Sequence, residues 1–290
     1  MIIVLGGSGY VGSAILRVLQ QRHIAHRSIS RSEYDYTHAS SLTRLLEETR
    51  PDFLINASGF TGRPNVDACE LRKAECLAGN AVLPGIINDV CQQFELPWGH
   101  ISSGCIFTGT RADGRGFTEQ DQPNFSFRQN NCSFYSGCKA LGEETLAAAQ
   151  QCYVWRLRIP FDHHDGGRNY ISKLMRYDRL LAATNSLTQL EECAAACIDS
   201  WTNRIPFGTY NLTNPGSVTT AEVVELIHQY RLTDRHFSFF ESETQFLQQA
   251  AITPRSNCIL DCSKALSAGL QLSPIHEALD TAMRNWIPAT

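Results

Sequence analysis

The feature that most constrains the fold is a glycine-rich turn at the start of the chain. The apolar run "IIVL" (residues 2–5) ends directly in Gly6, and Gly9 and Gly12 follow in the spacing GxxGxxG before an amphipathic helical pattern. A strand that enters a helix through such a turn lets the backbone approach a pyrophosphate and presents the free N–H groups of the helix. The sequence therefore predicts a dinucleotide site here, with an ordinary tight turn as the alternative.

After this turn, apolar strand patterns and amphipathic helical patterns alternate over the first 160 residues. The strands are expected at "IAHRSIS", "DFLINAS", "LPWGHISSGCIF" and "CYVWRLRIP". The helices are expected at "ASSLTRLLEETRP", at "AECLAGNAVLPGIINDVCQQF" with a bend or break near Pro84, and at Ser136–Gln150. Such alternation predicts an α/β fold with a doubly wound parallel sheet of the Rossmann type.

The end of the second predicted strand discriminates between nicotinamide cofactors. NAD sites of this kind carry an acidic residue there, which binds the ribose 2′-hydroxyl. This chain has Ser30, Arg31 and Ser32 instead, and these side chains suit a 2′-phosphate, so the predicted cofactor is NADPH. Glu33 lies close enough to leave NADH open, and an ordinary surface charge is the alternative interpretation of Arg31.

The domain division follows from the same patterns. Residues 1–160 are expected to form an NADP-binding Rossmann domain, to which segments around 177–215 return. Residues 161–176 and 216–290 are expected to form a smaller C-terminal α/β substrate-binding region.

The stretch "FYSGCK" places Tyr135 four residues before Lys139 on a predicted helix face. Reduction of a ketone needs a hydride from nicotinamide and a proton for the developing alkoxide, and a free tyrosine has a pKa near ~10. A lysine at i+4 would stabilise the phenolate and lower that pKa. The pair predicts a proton donor, although YxxxK also occurs by chance.

A family resemblance rests on several motifs in order. With the glycine turn, "NASG" (56–59), Asn80, "SSGCIF" (102–107) and "YSGCK" (135–139), the chain resembles an extended short-chain dehydrogenase/reductase. Within that superfamily it is similar to the dTDP-4-dehydrorhamnose reductase-like proteins, and most similar to their bifunctional UDP-4-keto-6-deoxyglucose 3,5-epimerase/4-reductases. The stretches that carry this similarity are "TGRPNVDACE", "GCIF", "FTEQDQPNF", "SFYSGCK", "RNYISK", "YNLTNPG" and "PRSNCILD".

The resemblance implies roles for particular residues. Ser103, Tyr135 and Lys139 would form a catalytic triad, in which Ser103 holds the substrate oxygen and Lys139 also holds the nicotinamide ribose. Besides the three glycines, the implied cofactor contacts are Tyr10, Val11, Ser30, Arg31, Asn56, Ala57, Ser58, Asn80, Tyr135, Lys139 and Pro160.

The resemblance also implies a second reaction, because a 4-ketone acidifies the C–H groups at C3 and C5. Cys105 and Lys173 would act as base and acid on opposite faces of the sugar, with a nearby Lys173 helping the thiol to ionise. The alternatives are a small buried cysteine and a lysine that contacts phosphate or solvent.

The implied partner is a nucleotide-activated 4-keto-6-deoxyhexose carrying UDP or dTDP. Its substrate contacts would be Arg63, Ser103, Cys105, Asn169, Lys173 and Arg255, of which Arg63, Asn169 and Arg255 are equally interpretable as structural surface residues. Asp67 and Glu70 are expected to hold their loop in shape. The segment "SFRQNNC" (126–132) is longer than expected for the bifunctional enzymes.

Composition excludes several other classes. The net charge is −4 with no Lys/Arg stripe, so no nucleic-acid partner is expected. No apolar run approaches the ~18 residues of a membrane span, and the N-terminus lacks the basic region of a signal peptide. The eleven cysteines show no CxxC pairs, so we expect free thiols, no metal site and a cytoplasmic protein. Assembly as a homodimer is left open.

Three other functions stay open at this point. The chain could be a 4-reductase without epimerase activity, or a sugar-nucleotide epimerase or dehydratase that retains NAD. A non-catalytic NADP-binding regulator is the third, although such proteins typically lose the tyrosine or the lysine.

Overall fold

The computed structural model describes residues 1–62 and 65–289. The strands are β1 (Ile2–Leu5), β2 (His26–Ile29), β3 (Phe53–Asn56), β4 (Trp98–Ser103), β5 (Cys152–Leu157), β6 (Pro160–Phe161), β7 (Arg179–Leu180), β8 (Thr184–Asn185), β9 (Thr188–Gln189), β10 (Gly208–Asn211), β11 (Val218–Thr219) and β12 (Ser238–Phe239). The helices are α1 (Tyr10–Gln21), α2 (Ala39–Thr49), α3 (Ala68–Leu71), α4 (Lys73–Leu77), α5 (Leu83–Gln93), α6 (Phe134–Thr145), α7 (Tyr170–Arg176), α8 (Leu190–Thr202), α9 (Thr220–Gln229), α10 (Glu243–Gln249), α11 (Ser263–Ser267) and α12 (Ile275–Arg284).

A six-stranded sheet in the order β10-β5-β4-β3-β1-β2 forms the centre of the molecule. All its pairings are parallel, and β1, β3, β4 and β5 are buried along their whole length. Helices α1 and α8 cover one face, and α2 and α5 cover the other. Burial on both faces explains why these strands are near-continuous apolar runs. The predicted doubly wound Rossmann-type sheet is confirmed.

The strand order also shows where a ligand can bind. From β1 the chain moves outward to β2 and then returns to place β3 on the other side of β1. Dinucleotides bind outside the carboxyl ends of the strands at such a switch point. Gly6 follows β1 and residues 57–59 follow β3, so both segments lie at this crevice.

The C-terminal part packs around a separate apolar core. Three two-stranded pairs, β6 with β9, β7 with β12 and β8 with β11, lie beside α7, α9 and α12. Within 177–215, α8 and β10 join the first core, whereas β7 and β8 pair with strands of the C-terminal part. Several apolar residues of 262–272 also pack in the first core. We propose to assign 262–272 to the Rossmann unit, although the sequence placed 216–290 in the substrate-binding region.

Two helices differ from expectation. Helix α6 spans Phe134–Thr145 rather than Ser136–Gln150, because Ser133 caps it by accepting a hydrogen bond from the backbone N–H of Ser136 at 3.2 Å. The irregularity expected near Pro84 is a π-helical segment, Ala78–Val82, that precedes the proline. Pro84 lies in the first turn of α5, where its missing N–H costs no helical hydrogen bond.

In the described part of the chain, no helix is long and apolar enough to cross a membrane. All eleven cysteines are free thiols, ten of them buried and Cys132 partly exposed. In residues 1–62 and 65–289, no group of three histidine, cysteine or acidic side chains has the geometry of a metal site.

Candidate active site

The glycine turn has the geometry of a pyrophosphate cradle. Gly6 has a φ of +75°, and a Cβ there would lie 2.6 Å from the backbone nitrogen of Ser58. A Cβ on Gly12 would lie 2.2 Å from the carbonyl oxygen of Gly6. Gly9 caps α1 without any side-chain hydrogen bond, so the first-turn N–H groups stay available to an anion. The turn therefore fits a dinucleotide, with Tyr10 and Val11 in the first turn of α1.

After β2, the acidic residue Glu33 forms an ion pair, whereas the basic residue Arg31 forms none in the described part of the chain. Glu33 forms an ion pair with Arg27. Arg31 is exposed and has no ion-pair partner in the described part of the chain, and the Ser30 and Ser32 hydroxyls are 2.9 Å apart next to it. An exposed guanidinium beside hydroxyls suits a 2′-phosphate better than a 2′-hydroxyl.

Asn56 and Asn80 shape the loop after β3 with their amide groups. The Asn56 side-chain oxygen accepts from the backbone N–H of Ser58 at 3.1 Å, and its nitrogen lies 3.1 Å from His100 Nδ1. Asn80 accepts from the N–H of Phe60 at 3.2 Å and donates to its carbonyl at 2.6 Å. Both asparagines are completely buried. They position residues 57–60, including Ala57 and Ser58, rather than offering free amides to a cofactor.

Two tyrosines also lie at the cofactor crevice. The buried Tyr36 places its phenol against Ser58 and the backbone of Gly6, and burial raises its pKa. The sequence prediction missed Tyr36, for which no motif gave a signal. Burial and the nearby Asp162 carboxylate raise the pKa of Tyr10, whose hydroxyl is buried and has no hydrogen-bond partner in the described part of the chain.

Pro160 begins β6 beyond the end of β5, next to a strained residue. Ile159, just before it, has a φ of +39°. The left-handed region costs a β-branched residue on the order of 1–3 kcal/mol and persists only where the surroundings impose it. The strain falls at the carboxyl edge of the sheet, beside the site.

Ser103, Cys105 and Tyr135 are brought together at the carboxyl end of β4. The Ser103 hydroxyl accepts from the backbone N–H of Cys105 at 3.2 Å and is nearly buried. The Cys105 thiol lies against the hydroxyls of Ser103 and Ser136. Tyr135, in the first turn of α6, packs on the apolar cluster that contains Cys105. The predicted serine and tyrosine therefore share one site with the predicted thiol.

The protonation of Tyr135 is set by burial. Burial raises the pKa of the phenol well above its usual value, and the Cys105 thiol raises it further. The cation that chiefly lowers the pKa is Arg168, whereas the i+4 spacing predicted Lys139 for this role. Lys139 is buried, donates to the carbonyl of Ile101 at 3.1 Å, and has a pKa lowered by burial. At neutral pH Tyr135 is a protonated phenol that can donate.

The thiol and amine assigned to a second reaction have opposite pKa shifts. Burial raises the pKa of Cys105, and the hydroxyls of Ser103 and Ser136 together with the charges of Arg158 and Lys139 offset this in part. The sequence assigned that helping charge to Lys173. Instead, Lys173 is half-buried on α7, and burial together with the positive charge of Arg168 lowers its pKa.

Arg158 is a site residue that the sequence prediction missed. It is buried and donates to the Asn185 side-chain oxygen at 2.7 Å and to the carbonyl of Ser256. No carboxylate pairs with it anywhere in residues 1–62 and 65–289. Its side chain passes beside Gly104, where a Cβ would lie 3.6 Å from Arg158 Cδ. An uncompensated buried cation therefore adjoins the Cys105 segment.

Two of the predicted substrate contacts, Asn169 and Arg255, are committed to other partners. Asn169 is completely buried; it caps α7 by accepting from Ile171 N–H at 3.0 Å and donates to the carbonyl of Asp162 at 2.8 Å. It has no free group for substrate, so we place it as an organiser of its loop. Arg255 forms a two-fold ion pair with Asp67, each bond 2.7 Å long. Arg63 lies outside the described residues.

The expected shaping role fits the contacts of Asp67 and Glu70. Asp67 holds Arg255, as above, and Glu70 accepts a hydrogen bond at 2.7 Å from the backbone N–H of Phe134, the first residue of α6. The loop before α6 is anchored on its far side, where Arg128 forms a two-pronged ion pair with Glu144 at 2.7 and 2.9 Å.

The sheet, the glycine turn and the Ser–Tyr–Lys set define a Rossmann-fold protein of the extended short-chain dehydrogenase/reductase type. The family model described as the RmlD substrate binding domain matches residues 1–287, and the chain belongs to this family. The predicted resemblance to the dTDP-4-dehydrorhamnose reductase-like proteins is thereby confirmed.

Two curated relatives come from Arabidopsis thaliana. The bifunctional dTDP-4-dehydrorhamnose 3,5-epimerase/dTDP-4-dehydrorhamnose reductase is 31% identical over 96% of this chain and 90% of its own length. A trifunctional UDP-glucose 4,6-dehydratase/UDP-4-keto-6-deoxy-D-glucose 3,5-epimerase/UDP-4-keto-L-rhamnose-reductase is also 31% identical, but the chain spans only 40% of its length.

Solved structures show the same fold. The L780 UDP-rhamnose synthase from Acanthamoeba polyphaga mimivirus superposes with a TM-score of 0.89 and 26% identity over 98% of both chains. A dTDP-4-dehydrorhamnose reductase from Bacillus anthracis, in complex with NADP, superposes with a TM-score of 0.81 at 19% identity over 97% of both chains.

One buried ion pair holds α6 against the sheet. Arg156 of β5 donates to both carboxylate oxygens of Glu143, at 3.0 and 2.6 Å, and the Ser102 hydroxyl donates to the same carboxylate. Both charged side chains are nearly buried, with 6% and 11% exposure. The pair lies one helical turn beyond Lys139 and fixes where α6 lies on β4 and β5.

We expect Glu143→Gln to lower the free energy of unfolding by about 3 kcal/mol, because it leaves Arg156 buried without a counter-charge. The matched control is Glu144→Gln, which breaks the exposed pair with Arg128 and should cost less than about 1 kcal/mol. Urea unfolding followed by circular dichroism measures both. Equal losses for the two variants would show that the buried pair does not anchor α6.

Proposed function

We propose that this protein is an NADPH-dependent reductase of the 4-keto group of a nucleotide-activated 4-keto-6-deoxyhexose, and that it first epimerises C3 and C5. The observation that carries the proposal is the meeting of Ser103, Tyr135 and Cys105 at the carboxyl edge of a Rossmann sheet, beside a turn that fits pyrophosphate. The substrate class is supported by the relatives, whose names are those of 4-keto-sugar-nucleotide reductases and UDP-rhamnose synthases.

For the reduction, bound NADPH supplies the hydride. The Ser103 hydroxyl holds the 4-keto oxygen, and Tyr135 gives its proton to the oxygen as negative charge develops there. Because burial keeps the phenol protonated at neutral pH, Tyr135 is ready to act as donor. Lys139, whose ammonium lies at the carboxyl end of β4, would bind the nicotinamide ribose.

For the epimerisation, the pKa shifts favour Lys173 as base and Cys105 as acid. A lowered pKa leaves more of the Lys173 amine neutral, so it can remove a proton from C3 or C5. A raised pKa keeps the Cys105 thiol protonated, so it can return a proton to the opposite face. Ser103 and Tyr135 would hold the enolate oxygen at C4 between these two transfers. The product would be a sugar nucleotide of the L-rhamnose type.

The function is tested by incubating the protein with NADPH and UDP-4-keto-6-deoxyglucose in D₂O, with the dTDP sugar in parallel, and resolving the products by NMR. We expect NADPH oxidation and deuterium at C3 and C5. Tyr135→Phe should reduce NADPH oxidation roughly 100-fold or more, since the proton donor is lost, while NADPH still binds. An unaffected Tyr135→Phe variant, or no NADPH oxidation by the wild type, would overturn the reductase proposal; tightly retained NAD would then indicate an epimerase or dehydratase.

The epimerase step is tested by Cys105→Ala and Lys173→Met. Both should reduce deuterium incorporation at C3 and C5 roughly 100-fold. Both variants should still catalyse the NADPH-dependent reduction of C4 when the substrate is supplied as the already epimerised 4-keto-L-rhamnose nucleotide. Cys91→Ala, at a buried thiol of α5, is the control that changes neither step. Reduction without deuterium in the wild type would leave a 4-reductase alone.

The cofactor preference is tested by Arg31→Ala. Loss of a charge-assisted contact with the 2′-phosphate should raise the KM for NADPH about tenfold and leave the KM for NADH unchanged. Arg284→Ala, at a surface arginine of α12, is the matched control. Steady-state kinetics with both cofactors measures this, and an equal change in both KM values would contradict the role of Arg31.

A further inference from the structure

The turn that carries Cys105 lies beyond the end of the central sheet. Strand β4 ends at Ser103, which pairs with Leu157 of β5, and the short 3₁₀ helix Gly104–Ile106 follows it. The sheet therefore holds Ser103 in place, whereas Cys105 lies outside the strand pairing. The position of the thiol must then depend on the contacts that the turn makes with other parts of the chain.

Two side chains of the stretch "PRSNCILD" hold this turn. The Ser256 hydroxyl donates to the carbonyl oxygen of Phe107 at 2.6 Å, and the Cys258 thiol donates to the carbonyl oxygen of Gly104 at 3.3 Å. Both donors are buried, so water competes little for either carbonyl. Because Gly104 and Phe107 lie on either side of Cys105, the two bonds fix the backbone before and after the thiol.

Arg158, directly after β5, holds both of these side chains from behind. Its Nη2 donates to the carbonyl oxygen of Ser256, 98 positions away in the chain, and to the side-chain oxygen of Asn185 at 2.7 Å. The same Asn185 oxygen accepts from the backbone N–H of Cys258 at 3.0 Å. The guanidinium therefore connects the end of β5 to the two residues that contact the turn.

The turn also packs directly against Arg158, because Gly104 has no side chain. A Cβ on Gly104 would lie 2.5 Å from Cδ1 of Leu260 and 3.6 Å from Cδ of Arg158. Any larger residue at this position would have to displace Leu260. The closeness of Arg158 agrees with the direction of its effect on Cys105, since its charge is one of the causes that lower the pKa of the thiol.

We propose that Arg158 and Ser256 are positioning residues for the Cys105 thiol, because Arg158 holds Ser256 and Ser256 holds the turn from which the thiol returns a proton to the sugar. The inference rests on the proposed function and deepens it. It assigns neither residue a contact with the substrate. A misplacement of about 1 Å can slow a reaction on the order of 100-fold, so small shifts of this turn matter.

The proton balance shows which step depends on the turn. Lys173 removes a proton from C3 or C5, and the electron pair of that C–H bond becomes part of the enolate. The S–H bond of Cys105 then breaks as the carbon takes the proton on its opposite face. Water reprotonates the thiolate and accepts the proton held by Lys173. Reduction at C4 uses Ser103 and Tyr135 and does not involve the thiol.

The kinetic test uses Ser256→Ala, which removes the bond to Phe107 and changes no charge. We expect kcat for deuterium incorporation at C3 and C5 to fall roughly tenfold, with the KM for UDP-4-keto-6-deoxyglucose unchanged. Reduction of the already epimerised nucleotide should stay within about twofold of the wild-type rate, because the sheet holds Ser103. An equal fall in both reactions, or no fall in deuterium incorporation, would overturn the role of Ser256.

The matched control is Ser200→Ala. Ser200 is a completely buried serine of α8, and its hydroxyl donates to the carbonyl oxygen of Ala196 at 2.7 Å. The substitution removes the same kind of bond at a place far from the turn in the fold. The ratio of deuterium incorporation to reduction should therefore keep its wild-type value.

A second measurement needs no substrate and keeps the two proposals distinguishable. Hydrogen exchange read by mass spectrometry should show the amides of residues 105–109 exchanging roughly tenfold faster in Ser256→Ala and in Arg158→Met, with β1 unchanged. Arg158→Lys keeps the buried charge, should show a smaller increase, and replaces Arg158→Met if that variant does not fold.

Unchanged amide exchange at residues 105–109 in these variants would overturn the inference, whatever the wild type catalyses. The opposite combination is a wild type that incorporates no deuterium at C3 and C5, with variants whose amides at 105–109 exchange faster. That result would overturn the epimerase proposal alone, since Arg158 and Ser256 would still hold the turn.

Discussion

The buried pair between Glu143 and Arg156 is the interaction on which the site depends. Tyr135 and Lys139 can act in a reductase only if α6 keeps one position along β4 and one rotation about its own axis, because Ser103 lies at the end of that strand. The Glu143 carboxylate accepts hydrogen bonds from Arg156 of β5 and from the Ser102 hydroxyl of β4. Two strands therefore fix the position of α6. Because both charges are nearly buried, the pair tolerates little displacement.

A second set of contacts joins the C-terminal part to the same helix. Gly62 accepts from Arg168, Asp67 binds Arg255, and Glu70 caps the first N–H of α6. Gly62, Asp67 and Glu70 therefore contact the loop before α7, Arg255 and the start of α6. The contacts of Asp67 and Glu70 explain how the acidic residues of "TGRPNVDACE" hold this loop in shape.

Protonation at the site follows from burial more than from the spacing of residues. Cys105 is buried and Tyr135 packs partly buried against the same apolar cluster, and loss of solvent raises the pKa of both. Burial lowers the pKa of Lys139 and Lys173. Low polarity penalises whichever form is charged. The acids are therefore kept protonated and the amines are moved toward neutrality, and this combination suits proton transfer at a ketone and at the carbons beside it.

The sequence alone determined the architecture and the chemical groups of the site. A glycine turn after "IIVL", alternating apolar patterns and the "FYSGCK" stretch depend on local geometry, which residue spacing encodes directly. Tertiary structure alone decided which groups meet across the fold. Arg255 forms an ion pair with Asp67, 188 positions away, and Asn169 makes all its side-chain hydrogen bonds within its own loop. Arg168, and not Lys139, is the cation that chiefly lowers the pKa of Tyr135. Spacing shows which side chains share a helix face, but ion-pair partners and dehydration arise only when distant segments pack, so the charges of this site could not be assigned from the sequence.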